Sequence, residues 1–158
     1  MDLIAVTVLG VARDPASGTP VVLLADAAGR RALPVWIGEP EAAAIALVLE
    51  GTAVERPLTH DLIKIMLDGL AVAVERAVIT ELRGGTFYAR LILRRGAELF
   101  SIDARPSDSI AIALRAQAPV LAERGLLDGP GGVDIGGGDD DLAGKLRKMR
   151  PEDSGPRA

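Results

Sequence analysis

Two parts of this chain echo each other at an offset of about 65 residues. Val35-Trp36-Ile37-Gly38 lies over Phe100-Ser101-Ile102-Asp103, and Ile45-Ala46-Leu47-Val48-Leu49 lies over Ile110-Ala111-Ile112-Ala113-Leu114. In both copies a β-branched, apolar run leads into an Ala-rich helical one. A second strand opens on Thr in each copy, Thr19 and Thr86. A chain built this way must make the same supersecondary unit twice and close a core between the copies.

Local signals give the unit as β-β-β-α. Leu3 to Val11, Thr19 to Ala25 and Arg31 to Ile37 read as strands, separated by the turn residues Asp14-Pro15-Ala16-Ser17-Gly18 and Ala27-Ala28-Gly29. Pro40 marks a helix start, with Glu39 and Glu41 at its positive end, and the helix runs from Glu41 to Glu50 before Gly51. A second helix is expected from Thr59, as N-cap, to Asp68, with Leu62, Ile63, Met66, Leu67 and Leu70 on one face. Strands then follow at Ala71 to Leu82, Thr86 to Leu93 and Glu98 to Asp103, with hairpin turns at Gly84-Gly85 and Arg95-Gly96. Pro106 or Ser107 begins a third helix, capped by Ser107 or Asp108 and ending near Gln117, and Pro119-Val120-Leu121 reads as a short last strand followed by a last turn of helix. The expected fold class is α+β. It is a duplicated β-β-β-α unit with an extra helix between the halves, its mixed or antiparallel sheets packed with helices.

Residues 1–127 form the expected domain. Residues 128–158 contain Gly129-Pro130-Gly131-Gly132, Gly136-Gly137-Gly138 and Asp139-Asp140-Asp141, and read as a flexible Gly/Asp-rich tail with one or two helical turns from Leu142 to Met149. This glycine run is no phosphate loop, because no Lys-Ser/Thr follows it.

Composition narrows the chemistry. With no cysteine there is no disulfide framework, no thiolate metal site and no Cys nucleophile. A lone histidine and no Gly-x-Ser-x-Gly elbow leave no nucleophilic triad. The N-terminus lacks the basic start of a signal peptide, and no apolar run approaches the ~20 residues that span a bilayer, so a cytoplasmic protein without membrane contact is expected. A net charge of -4 argues against coating nucleic acid non-specifically, so any nucleic-acid contact must use a local patch. Aromatic residues are 3% of the chain, too few for a base-stacking platform.

Polar chemistry gathers in two Arg-Pro motifs, Arg56-Pro57-Leu58-Thr59-His60-Asp61 and Arg105-Pro106-Ser107-Asp108. Both lie at helix starts, where free N–H groups and a partial positive charge favour anions. His60 suits a general base or ligand. Asp61, Asp103 and Asp108 suit carboxylates that orient water or hold a metal. Arg56 and Arg105 suit contact with a phosphate, and Thr59 and Ser107 sit beside them. Asp103 with Asp108 could share a divalent metal, and Glu39 and Glu41 hold the equivalent place in the first half. Each motif also has a structural reading, as helix caps and as a salt bridge from Arg105, and spacing alone favours that reading.

At these motifs the chain resembles the bifunctional nuclease (BFN) domain family. The resemblance runs through Leu33-Pro34-Val35-Trp36-Ile37-Gly38, Glu41-Ala42 with Ile45-Ala46, Arg56-Pro57-Leu58-Thr59-His60-Asp61-Leu62, Phe87-Tyr88-Ala89 and Ile102-Asp103-Ala104-Arg105-Pro106-Ser107-Asp108-Ser109-Ile110-Ala111. Ser109 departs from the family's usual Ala. The resemblance implies an α+β nuclease acting on both DNA and RNA, assembled as a homodimer or higher homo-oligomer. It carries no settled catalytic set. The alternatives are a non-catalytic nucleotide- or anion-binding regulatory module and an oligomeric scaffold.

Overall fold

The computed structural model describes residues 1–137. Its order is β1 (Leu3–Arg13), β2 (Pro20–Ala25), β3 (Arg31–Trp36), α1 (Glu39–Leu49), α2 (Thr59–Gly69), β4 (Ala73–Arg83), β5 (Thr86–Arg95), β6 (Glu98–Ala104), α3 (Pro106–Arg115), β7 (Val120–Glu123), α4 (Arg124–Asp128) and β8 (Val133–Asp134). The β-β-β-α unit is present twice, with α2 between the copies. The architecture is α+β: a mixed eight-stranded sheet packed with four helices, among the described residues.

The sheet order is β6-β5-β4-β7-β1-β2-β3-β8. Each unit is an antiparallel meander, and β7 is inserted between them. It pairs antiparallel with β1 and parallel with β4. The first strands of the two units therefore run in opposite directions, as a twofold relation across β7 requires. Long β1 serves two neighbours in turn. Leu3 to Val6 pair with β7, and Thr7 to Arg13 pair with β2. A bulge at Leu9 separates register partners Val8 and Gly10. Gly10, at φ +153°, takes a backbone conformation that L side chains disfavour.

One core joins the two units. Val22, Leu24, Leu33 and Val35 of the first sheet half, Ala77, Ile79, Ala89 and Leu91 of the second, Ile45 of α1 and Ile110 of α3 belong to it. Period-2 alternation selects the inward residues on β5, where Phe87, Ala89, Leu91 and Leu93 meet the core. Small aliphatic side chains fill the space that aromatics would otherwise take. Gly84 and Gly85, at φ +59° and +78°, turn β4 into β5 in the geometry that matches strand twist.

Three local expectations are corrected. Thr59 is not the N-cap of α2; Leu58 holds that place, and the carboxylate of Asp61 accepts its N–H at 2.9 Å. Neither Ser107 nor Asp108 caps α3; Arg105 is the N-cap, with no side-chain cap bond, because Pro106 already occupies the first helical position. The apolar stripe of α2 is only partly used, since Ile63 packs on the core and Leu67 is half-buried while Leu62, Met66 and Leu70 stay exposed.

Packed structure also continues past Leu127. Val133 is buried as β8 pairs with β3, and Ile135 packs beside it. Arg31 donates to the carbonyls of Leu127 and Gly129, fastening the turn between α4 and β8. Ordered backbone thus covers Gly129 to Gly132, because its polar groups find partners. The expected helical stretch from Leu142 to Met149, and Asp139 to Asp141, lie outside the described residues.

Truncating the chain after Asp128 should lower the melting temperature by several degrees, since it uncovers Ala25 and Ala32 and removes buried Val133. Thermal unfolding followed by circular dichroism measures it; an unchanged midpoint contradicts a structural role for β8.

Candidate active site

The starts of α1, α2 and α3 converge on one open cleft of about 340 Å³, lined by Pro40, Glu41, Thr59, His60, Ile63, Arg105 and Asp108. The twofold relation of the units brings the starts of α1 and α3 together, and the inserted α2 closes the third side. Residues far apart in the chain meet here.

His60 is the centre of the arrangement. Its Nε2 donates to Oδ1 of Asp108 at 2.8 Å, and its side chain is 12% exposed. A carboxylate only accepts, so the contact places a ring proton on Nε2, and in the neutral imidazole Nδ1 is then the acceptor nitrogen. Arg105 holds the other oxygen of Asp108 through Nε at 3.0 Å and Nη2 at 2.9 Å. The same Nη2 reaches Oε1 of Glu41 at 2.8 Å. Burial opposes the charge on Arg105, but the bonds to Glu41 and Asp108 outweigh it and raise its pKa above the usual guanidinium value. The result is a chain of charge-assisted bonds, Glu41–Arg105–Asp108–His60, across all three helix starts.

Asp61 and Arg115 hold this geometry from behind. Asp61 accepts from Leu58 N–H with one oxygen and from Nε of Arg115, at 2.6 Å, with the other. The Leu58 bond and then the Arg115 bond keep the Asp61 carboxyl below the ordinary carboxylate range. Arg115 is 7% exposed, and it also donates to the Ala111 carbonyl. Thus α2 and α3 are pinned twice: by His60–Asp108 and, behind it, by Asp61–Arg115. Arg115 was not among the residues singled out by motif. Its signal is positional: it lies seven residues after Asp108, on the same face of α3.

The remaining candidates divide. Thr59 lines the cleft. Ser107 is buried at the start of α3, and its hydroxyl has no hydrogen-bond partner among the described residues. Arg56 is exposed in the loop before α2 and does not line the cleft. Asp103 stays on β6, 76% exposed, 3.9 Å from Arg90. Glu39 pairs with Arg13, a contact that lowers the carboxyl's pKa. Of the four proposed metal ligands, only Glu41 and Asp108 face the same cleft, and Arg105 spans both. Among the described residues no three His, Asp or Glu side chains group as metal ligands. A cation between Glu41 and Asp108 would have to displace the guanidinium.

The family model described as the bifunctional nuclease domain matches residues 22–131, which include every cleft residue. The chain belongs to the bifunctional nuclease domain family. An uncharacterized protein of Mycobacterium tuberculosis is 46% identical over 122 residues, which cover 77% of this chain and 73% of that one. Bifunctional nuclease 1 of Oryza sativa subsp. indica is 30% identical over 115 residues, 71% of this chain and 35% of the relative. Bifunctional nuclease 2 of Arabidopsis thaliana is 27% identical over 128 residues, 78% of this chain and 36% of the relative. The chain thus spans about a third of the plant nucleases it matches. No helix among the described residues is long and apolar enough to cross a membrane.

Asp61→Asn should cost about 1 kcal/mol at neutral pH, by weakening the bonds to Leu58 and Arg115. Because the folded carboxyl titrates below its unfolded value, its stabilisation is present above the ordinary carboxylate range. It fades as pH falls through the lowered folded value. Arg115→Met should cost more, roughly 2–3 kcal/mol, by leaving the carboxylate without its cation. Urea unfolding of both variants from pH 7 down to pH 3 checks this; an Asp61→Asn difference that grows towards acid contradicts it.

Proposed function

We propose that this chain is a nuclease that hydrolyses phosphodiester bonds in DNA and RNA, acting in the cytoplasm. The observation that carries the reading is the His60–Asp108 bond beside Arg105 in one cleft. Nuclease-named relatives in the same family support it. Asp108 orients the imidazole, and Nδ1 of His60 takes a proton from the attacking water. The water oxygen forms the new bond to phosphorus, and the bond from phosphorus to the departing sugar oxygen breaks. That oxygen leaves with a proton from the imidazolium or from solvent. Arg105 stabilises charge on the phosphoryl oxygens. Thr59, at the free N–H end of α2, adds a donor for phosphate. Were a divalent cation used, Glu41 and Asp108 would be its ligands, and it would take the place that Arg105 now fills between them. Arg56, in the loop before α2, and buried Ser107 lie outside the cleft and contact no substrate in this reading, and Asp61 acts by placing His60. Assembly as a homodimer or larger homo-oligomer is part of it.

A second reading is favoured by one observation: Arg105 already binds two carboxylates. A guanidinium so occupied suits a structural network or a regulatory module that binds nucleotides without cleaving them.

Purified protein is assayed on labelled DNA and RNA, with magnesium, with manganese and with chelator. His60→Ala and Asp108→Asn should each lose roughly 100-fold or more in rate. Equal residual activity in the wild type and both variants points to a contaminant and defeats the nuclease reading. Thermal stabilisation by a nucleotide without turnover selects the regulatory one.

A further inference from the structure

Helix α2 is amphipathic, and its apolar side is wider than the part that the fold covers. His60, Ile63 and Leu67 turn toward the cleft and the body. A narrow polar stripe holds Asp61, Lys64 and Asp68, the last two paired at 2.6 Å. The rest of the surface is Leu62, Ile65, Met66 and Leu70, which are 50%, 51%, 56% and 66% exposed. Leu58 and Val54, in the loop leading in, are also exposed. The apolar face of an amphipathic helix ordinarily packs against another apolar surface.

We infer that this face docks a second copy of the same chain, α2 against α2 about a twofold axis. The inference rests on the homo-oligomeric part of the reading above. It goes further by naming the surface. Leu58, Leu62, Ile65, Met66 and Gly69 recur at spacings of three and four, so they form one seam along the helix. An isologous contact needs such a self-complementary seam. No atom lies within 4 Å of where a Cβ on Gly69 would sit, so that end of the seam is open to a partner's side chain. Antiparallel packing also places the positive start of each helix near the negative end of the other.

Size agrees with this occupant. The exposed parts of the seam residues, with Val54, amount to on the order of 500 Å² of apolar surface, as large as the biggest patch on a typical monomer. With a polar rim around it, the patch approaches the ~800 Å² per partner of a standard interface. Charge argues against a lipid surface instead. A membrane-lying helix carries Lys and Arg along its polar face, whereas α2 has only Lys64, tied to Asp68, in a chain of net charge -4. The consequence reaches the cleft, because the docked helix is the one that carries Thr59 and His60.

The absence of cysteine makes the test direct. Sedimentation velocity over a concentration series gives the assembly state of wild type, Leu62→Glu and Ile65→Glu. The wild type should self-associate, and each variant should weaken association roughly 100-fold while keeping its circular dichroism spectrum. Ile65→Cys, near the middle of the seam, should form a disulfide-linked dimer on mild oxidation, and Leu99→Cys, exposed on β6, should not. A wild type that stays monomeric throughout overturns both the oligomer and this interface. A monomer that floats with phospholipid vesicles through α2 assigns the face to lipid and overturns them as well. Association unaffected by either Glu variant overturns the α2 interface alone and leaves the oligomer standing.

Discussion

Ile110 and Ala111 of α3 are completely buried against the sheet and α1. That placement fixes where the start of α3 lies, and with it Arg105 and Asp108. Six of its ten residues, Ser107 and Ser109 to Ala113, are buried, and Pro106 is buried too. Such a helix has little freedom to rotate or slide in a close-packed core. From it, Arg105 reaches α1 and Asp108 reaches α2. Arg115 at its other end holds Asp61. The cleft is therefore a by-product of seating α3, and its side chains are held by ion pairs between helices rather than by mobile loops.

The same seat explains why α2 behaves differently from α1 and α3. The repeated units supply two helices that cover each other and one face of the sheet. The inserted helix arrives at the rim of that layer, and only part of its apolar surface finds a place. Two polar contacts to α3, Asp61–Arg115 and His60–Asp108, fix its angle where apolar packing is thin. Geometry at His60 thus depends on a helix whose remaining surface is free to be covered by something else.

Much of the fold was legible along the chain. The repeat gave both β-β-β-α units, Gly84-Gly85 gave the hairpin, and period-2 alternation gave the inward face of β5. Misjudged details share one cause. Thr59 and Ser107 have good capping side chains, yet Leu58 and Arg105 hold the N-cap places, because neighbouring prolines and the tertiary seat set where each helix begins. The glycine-rich stretch after Leu127 looked incapable of order. Arg31, nearly a hundred residues away, supplies the hydrogen bonds that hold its start. For the cleft, the two Arg-Pro motifs pointed to His60, Asp108, Arg105 and Thr59, while Asp103, Glu39 and Arg56 shared a motif or a symmetric position without sharing the space. A motif records neighbours in the chain, and side-chain direction at a strand end or in a loop is decided by what the strand pairs with.

The sequence by itself determined the element order from β1 to β7, the doubled unit, and a chain with one histidine and no cysteine. Those follow from local periodicity, turn residues and counting, none of which needs contacts between distant segments. Only the tertiary structure decided that Glu41 rather than Glu39 meets Arg105. It alone paired Asp61 with Arg115 and His60 with Asp108, and it alone left half of α2 uncovered. Each depends on the angle at which separate helices cross. That angle is set by the packing of the whole core, and no short stretch of residues contains it.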